Sequence, residues 1–336
     1  MVPFAYLQAA SIPAAVASGA RHRSDQASEL GADFFAGGAD MIQLMRERVR
    51  NPGQVIDITA LPGLADIEAG PGGARLGALA RMSDAAAHAG VRAHFPVVAE
   101  ALLASASPQV RNLATLGGNL LQRTRCGYFR DVATPCNKRE PGSGCPALDG
   151  QNRLLAILGA SDHCIATYAG DFANALLVLD ATVHIAGSDG ERALPLAELH
   201  QLPGDTPHVE TRLRPGELIL AIEIPPSAAA RRSHYLKVRD RASFEWSIAA
   251  AAVALDLGED GTVRDARVAV GGVATTPWRL PRVEQALRGR RLDRALCHEA
   301  GALAAKGAAP RGRNAYKVEL IRRTVARALE ETGGLA

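Results

Sequence analysis

The chain has 336 residues, 47% hydrophobic and 22% charged, the proportions of an ordinary soluble globular protein too long for one simple core, so two or three domains are expected. Net charge is +3, from 38 basic and 35 acidic residues, which gives no electrostatic case for nucleic-acid binding. Aromatic residues make up only 4%, so the core must be built from Ala, Leu, Val and Ile.

Residues 12–30 carry a helical pattern (Ile12, Ala15, Val16, Ala20) that ends near Gly31. The mildly apolar residues 1–20 have no basic region before them and no twin arginine nearby, so no signal peptide of the chain's own is expected. Asp33-Phe34-Phe35 reads as a short strand running into the loop Ala36-Gly37-Gly38-Ala39-Asp40, with a helix from Met41 to about Arg50. Strand, glycine loop and helix start, in that order, expose N–H groups to an anion. Residues 55–58 form another strand, and Gly70-Pro71-Gly72-Gly73 a hairpin turn before a strand at 75–79 and helices at 82–89 and 95–105.

A central stretch follows Pro108. It holds a second Gly-Gly turn, Thr115-Leu116-Gly117-Gly118-Asn119, about 80 residues after the first, and then four of the five cysteines within 39 residues: Cys126, Cys136, Cys145 and Cys164. Two such turns could clamp a pyrophosphate from two sides. Neither GxGxxG nor GxxxxGK[ST] occurs, so neither a Rossmann nor a P-loop site is supported. The spacing C-x9-C-x8-C-x18-C lacks the CxxC pairs of structural zinc sites and the compact ferredoxin run. An insertion this long and rich in Gly and Pro needs something to order it. An iron–sulfur cluster, zinc and unligated thiols all remain open on spacing alone. The isolated Cys297 reads as a packed thiol on a helix at 292–306.

Beyond the cysteines, 172–179 reads as a helix with Asp171 as its N-cap, 182–186 and 192–196 as a hairpin, and 218–224 (LILAIEI) as a buried strand. A boundary falls at 228–232. Strands at 234–238, 248–257 and 266–270, then helices at 281–287, 292–306 and 315–329, suggest an antiparallel sheet with helices on one face. The longest apolar runs are too short to span a bilayer. Lys237 and Arg241 read either as a solvated face or as cations aimed at a ligand. No Ser/His/Asp or HExxH arrangement appears, and the nine histidines are scattered, so no catalytic acid or base is expected.

The segments FAGGAD, SPQVRNLATLGGNL, GDFANALLVLDA, PGELILAIEIP, YLKVRDRASFEWSIAAAAVAL and VAVGGVATTPWR together resemble the FAD-binding medium subunit of the xanthine dehydrogenase/molybdenum hydroxylase family. The insertion QRTRCGYFRDVATPCNKREPGSGCPA resembles, more narrowly, the flavin subunit of bacterial periplasmic aldehyde oxidoreductases, which carries an additional [4Fe-4S] cluster. The resemblance implies an α+β chain: a two-part FAD-binding domain of the vanillyl-alcohol oxidase (PCMH-type) superfamily, residues 1–60 and 61–227 with the iron–sulfur loop at 122–165, and a C-terminal flavoprotein domain, 228–336.

It also implies the following site. Asp33, Phe34, Phe35, Ala36, Gly37, Gly38, Ala39, Asp40 and Met41 would bind the FAD pyrophosphate, and Thr115, Gly118 and Asn119 would close the clamp with Thr124 in reach. Asp171 would bind a polar part of FAD, Ile219 would form an apolar wall, and Lys237 would lie near the flavin ring. Cys126, Cys136, Cys145 and Cys164 would ligate the cluster. Ala39 departs from the family's usual AGGTD by lacking a hydroxyl.

The implied function is an electron-transfer subunit of a heterotrimer. A molybdopterin-binding large subunit would oxidise an aldehyde to a carboxylic acid, and a [2Fe-2S] small subunit would pass electrons to FAD here and on to an external acceptor. The complex would be periplasmic by co-export with a signal-bearing partner, or cytoplasmic. Two other readings are an assembly subunit with a zinc or disulfide loop and a free-standing flavin oxidoreductase.

Overall fold

The computed structural model describes residues 1–21 and 31–336. Three sheets organise it. Strands β1 (Ala5–Gln8), β2 (Ala32–Phe35) and β3 (Gln54–Asp57) form a parallel sheet in the order β1-β3-β2. The helix read over 12–30 is described over Ile12–Arg21, and the rest of that reading lies outside the described residues. Ala15 and Val16 turn inward from it onto Ile56 and Ile58.

Strands β4 (Ile67–Gly70), β5 (Gly73–Gly77), β6 (Thr182–Gly187), β7 (Gly190–Pro195) and β8 (Leu218–Ile224) make an antiparallel sheet in the order β4-β5-β8-β6-β7. Both expected hairpins are present, with Gly70 opposite Gly73 and Gly187 opposite Gly190. The apolar run of β8 is explained by burial on both faces: Leu218 and Leu220 join the first sheet's core, whereas Ile219, Ile222 and Ile224 join a second core with the helices Pro96–Ala104 and Phe172–Leu177.

Strands β9 (Ser233–Val238), β10 (Ala249–Leu257), β11 (Val263–Gly271) and β12 (Trp278–Arg279) form the third sheet, antiparallel in the order β12-β11-β10-β9. The expectation that only helices cover it, on one face, is incomplete. Ala249, Ala251, Val253 and Leu255 of β10 face the C-terminal helices, and Ala250, Ala252 and Ala254 face the second core. Alternation along one strand therefore joins two domains, and the small side chains let helices approach both faces. Burying each Leu, Ile or Val on these faces contributes roughly 1.5–3 kcal/mol. Cys297 is fully buried, as a packed thiol should be, in the helix Arg294–Ala302.

Element ends moved for identifiable reasons. The helix after the first glycine loop stops at Arg46, because Arg48 takes φ 59° and the amides of Val49 and Arg50 fold back onto the Leu44 carbonyl. The last helix, Tyr316–Gly333, outruns its expected end and stops at the left-handed Gly334. The segment read as one helix over 82–89 is two, Met82–Ala87 and Ala89–His94, divided where His88 takes extended backbone and accepts from the Val91 amide. Strands β1 and β4 were not anticipated. Among the described residues no helix is long and apolar enough to cross a membrane.

Candidate functional site

The two glycine turns meet. A Cβ on Gly37 would collide with the Leu113 carbonyl just before Thr115, and Gly38 takes φ 65° with the Phe35 ring directly beneath it. Only glycine permits this approach. Phe35 therefore supports the turn from below, whereas Asp33, Phe34, Ala36, Gly37, Gly38, Ala39, Asp40 and Met41 line a cavity of about 650 Å³. Thr115, Gly118, Asn119, Thr124 and Asp171 line it as well. Its size suits a large cofactor.

Gly37, Gly38, Ala39 and Asp40 give their backbone N–H groups no acceptor among the described residues. The following helix, Met41–Arg46, is too short for its dipole to contribute much, so the loop amides are the anion cradle. The Asp33 carboxylate is held by Arg50, with Nε at 2.6 Å, and is not offered to the cavity. Asp40 accepts from the Arg123 amide at 2.8 Å and from the guanidinium groups of Arg125 and Arg130, which ties the glycine loop to the start of the cysteine segment. Burial raises the Asp40 carboxyl against the pull of Arg130 and Arg123. With two guanidiniums on this carboxylate, a bound anion meets little repulsion. Across the cavity, Thr115 Oγ1 accepts from the Gly118 amide at 3.4 Å, and Asn119 Nδ2 reaches Met82 Sδ at 3.5 Å.

Several buried polar atoms of residues on the cavity wall lack partners among the described residues: Asn119 Oδ1, Arg125 Nε, His200 Nδ1 and His208 Nδ1. An unmade buried hydrogen bond costs about 1–3 kcal/mol, so these atoms await a polar ligand. Nothing in the sequence singled out the two histidines. His200 Nε2 bonds the Leu120 carbonyl at 2.9 Å, and burial pushes its pKa down to about 4. The ring is neutral, and its Nδ1 is buried with no partner among the described residues. These amides, acceptors and volume fit a dinucleotide cofactor such as FAD.

Asp171 lines the cavity with its carboxylate already engaged, and two expected contacts, Lys237 and Ile219, do not reach it. Asp171 stands at the N-cap position of Phe172–Leu177 but makes no side-chain cap bond. Its carboxylate accepts from Ser105 Oγ (2.9 Å), Tyr235 OH (2.6 Å), Ser247 Oγ (2.7 Å) and Lys237 Nζ (2.8 Å), which uses the acceptor capacity of both oxygens. Lys237 is neither solvated nor on the cavity wall. Its side chain is 3% exposed and also donates to the Ala104 carbonyl at 3.0 Å. Asp171, on the cavity wall, and Lys237, behind it, thus staple the C-terminal sheet to the second core. Ile219 is packed in that core and does not line the cavity either.

The cysteine segment forms a closed chamber beside the cavity. Cys126, Cys136, Cys145 and Cys164 all line one small void with Phe129, Ala147 and His163. All four are free thiols, so no disulfide staples the loop. Among the described residues no three His, Cys, Asp or Glu side chains stand together as ligands of one metal ion. The Ala166 amide donates to Cys164 Sγ at 3.4 Å, and nearby backbone amides work to lower the Cys126 and Cys145 thiols. Burial nevertheless pushes Cys126 up to about 12 and Cys164 up to about 11. Four thiols lining one void but not grouped closely enough to ligate one ion are a donor set that fits a multi-iron cluster, whose ligands stand apart.

Buried polar side chains order the loop. Asn137 Nδ2 donates to the His163 carbonyl at 3.1 Å and its Oδ1 accepts from the Gly144 amide at 2.7 Å. Arg139 donates to the carbonyls of Tyr128 and Phe129, and Asn152 to those of Ala147 and Leu148. Thr124 Oγ1 accepts from the Cys126 amide at 3.2 Å and donates to the Thr167 carbonyl at 2.9 Å. Lys138 and Ala166 line both the chamber and the cavity, so the two share a wall. Lys138 Nζ pairs with Glu210 Oε1 at 2.9 Å, and Glu210 also pairs with Arg123. Burial works to raise the Glu210 carboxyl, but those two cations hold it below its ordinary value.

Comparison with known proteins adds the following. Residues 2–227 match the FAD binding domain in molybdopterin dehydrogenase, and residues 234–332 match the CO dehydrogenase flavoprotein C-terminal domain. The chain is 44% identical to the aldehyde oxidoreductase FAD-binding subunit PaoB of Escherichia coli, over 90% of this chain and 91% of that one. It is 26% identical to the carbon monoxide dehydrogenase medium chain of Afipia carboxidovorans, again over 90% and 91%. Among solved structures, it superposes on a chain of the carbon monoxide dehydrogenase of Hydrogenophaga pseudoflava with a TM-score of 0.75 and 25% identity, over 100% of both. On a chain of quinoline 2-oxidoreductase from Pseudomonas putida it superposes with a TM-score of 0.75 and 22% identity, over 99% and 98%, a likeness of fold.

Proposed function

The chain belongs to the FAD-binding medium subunits of the molybdenum hydroxylase family, and on that premise we propose that it is the electron-transfer subunit of an aldehyde oxidoreductase carrying both FAD and a [4Fe-4S] cluster. Its function is then to take electrons released when a molybdopterin-binding partner oxidises an aldehyde to a carboxylic acid, received through a [2Fe-2S] partner, and to deliver them to an external acceptor. A heterotrimer is the assembly this requires. The compartment follows the partners: periplasmic if the folded complex is exported with a signal-bearing subunit, and cytoplasmic otherwise.

The observation that carries the reading is the shared wall between the glycine-turn cavity and the four-cysteine chamber. FAD supplies two-electron and one-electron redox chemistry, and the cluster supplies one-electron chemistry. The residues do the holding. The amides of Gly37, Gly38, Ala39 and Asp40 receive the pyrophosphate, with Thr115, Gly118 and Asn119 opposite. His200 would offer its unpartnered Nδ1 as an acceptor to a polar edge of the cofactor, and His208 would offer its unpartnered ring nitrogen beside it. Asp171 and Lys237 fix the wall behind it. Cys126, Cys136, Cys145 and Cys164 hold the cluster, whose N–H···S bonds lower the cost of its negative charge. No side chain here is needed as a general acid or base, since the aldehyde is oxidised in another subunit.

Purifying the complex and assaying flavin, iron and acid-labile sulfide tests this. About one FAD and four irons per chain beyond those of the partner subunits are expected for one [4Fe-4S] cluster. Zinc, with no iron or sulfide beyond that of the partner subunits, would leave the assembly-subunit reading in its place.

A further inference from the structure

Lys138 is the charged side chain common to the walls of the cavity and the chamber. It lies two residues beyond Cys136 and is buried. Its ammonium is fixed, with Nζ 2.8 Å from the Pro207 carbonyl and 2.9 Å from Glu210 Oε1. Glu210 is shared with Arg123, so the three side chains carry two positive charges against one negative. Every group in this trio lines the cavity, but only Lys138 also reaches the cysteine chamber. A plain loop tie needs no charge there, because Asn137 and Arg139, on either side of it, already bind the loop to backbone carbonyls.

We propose that Lys138 is a tuning residue for electron exchange across this wall: its fixed positive charge stabilises the reduced cluster and so raises the cluster's reduction potential relative to its value without that charge. The inference rests on the cluster-bearing reading above. Reduction adds one electron to the cluster and no proton, so the added negative charge must be met by charges already in place. Net local charge and hydrogen bonds to sulfur are the protein's main means of setting such potentials. In a poorly solvated wall a nearby ammonium acts with little screening. Glu210 sets the other limit. It holds Lys138 in position while offsetting part of its charge, so removing the carboxylate must act in the opposite direction from removing the ammonium.

The test is a redox titration of the intact complex with sodium dithionite and mediators, in which the cluster is followed by electron paramagnetic resonance in wild type, Lys138→Met, Lys138→Arg and Glu210→Gln. The cluster potential is expected to fall in Lys138→Met, to rise in Glu210→Gln and to stay near wild type in Lys138→Arg. The signal reports only loaded clusters, so partial loss of iron leaves the comparison intact. A Lys138→Met complex that titrates with wild type, or Met and Gln variants that shift in the same direction, overturns the tuning role and leaves Lys138 a structural tie. A wild-type complex with flavin but no such cluster signal removes the cluster reading itself, which is a different failure.

Discussion

The cavity and the chamber share a wall but are built on opposite terms. The cavity keeps polar groups unpaired: four consecutive loop amides without acceptors, two bare histidine nitrogens and one asparagine oxygen. The chamber's loop instead satisfies its polar groups internally, through Asn137, Arg139, Asn152 and Thr124. A site with unmade bonds is ready for a ligand that arrives after folding. A loop tied by such internal bonds around four sulfurs is shaped to what it encloses and takes it up as it folds. FAD should therefore exchange without unfolding the chain, whereas the cluster should not.

Replacing a cysteine is the most severe way to probe that contrast. Cys136→Ser is expected to abolish retention of iron and sulfide and to open residues 126–164 to limited proteolysis, while flavin is retained. Parallel loss of flavin in proportion to iron would show that the two sites fold as one unit. The Asp40 carboxylate, which holds Arg125 and Arg130 across the boundary, is the link through which such coupling would run.

Acid separates the regions next. Unfolded histidine titrates near 6.5, but burial holds His200 near 4 in the folded chain. Between those values the unfolded state binds the additional proton, so His200 contributes stability that is present above about 6.5 and lost as pH falls toward 4. The size is up to about 3 kcal/mol. Denaturant titrations from pH 7 to pH 4 on wild type and His200→Gln should show a shallower decline in the variant, since Gln keeps a donor for the Leu120 carbonyl and has no charge to gain. The chamber's internal ties through Asn137, Arg139, Asn152 and Thr124 do not titrate in this range, so any loss of protease resistance in the cysteine loop should run through the carboxylates Asp40 and Glu210, which pair with Arg125, Arg130, Arg123 and Lys138.

Gly37→Ala acts on the cavity alone. The added methyl must push the first glycine turn off Leu113, an overpacking cost of about 1–3 kcal/mol, so FAD affinity should fall by roughly tenfold to a hundredfold. Iron content should match wild type. Isothermal titration of flavin-stripped complex with FAD, alongside an iron assay, gives both values. An unchanged affinity would mean that the two turns do not need to meet.

The parts of this site legible in the sequence were those carried by local chemistry. Gly37 and Gly38 announce backbone approach because no other residue permits it there, and four cysteines in one insertion announce a shared task. The strand at 248–257 was visible too, although its second buried face was not, because an alanine run does not say what covers it. His200, His208 and Glu210 left no local signal. They reach the wall on the segment between β7 and β8, and their roles exist only after that segment has packed against Leu120, Arg123 and Lys138. Lys237 shows the converse. Its charge marked it as either solvated or ligand-facing, and the fold gave it a third role, a buried pair with Asp171 that no spacing rule connects across 66 residues.

Ala39 gives the smallest and most selective prediction. It lines the cavity among unpaired amides, at the one position where the family's loop usually has a hydroxyl. If the backbone cradle alone carries the anion, Ala39→Thr adds one hydrogen bond to a site that already works, a gain of about 0.5–1.5 kcal/mol and up to roughly tenfold tighter FAD binding. The cluster's spectrum should not change, because no residue of the loop 36–40 lines the chamber. Weaker binding in Ala39→Thr would mean that the threonine methyl meets a wall shaped for alanine, and that this chain has rebuilt its phosphate contact around the missing hydroxyl.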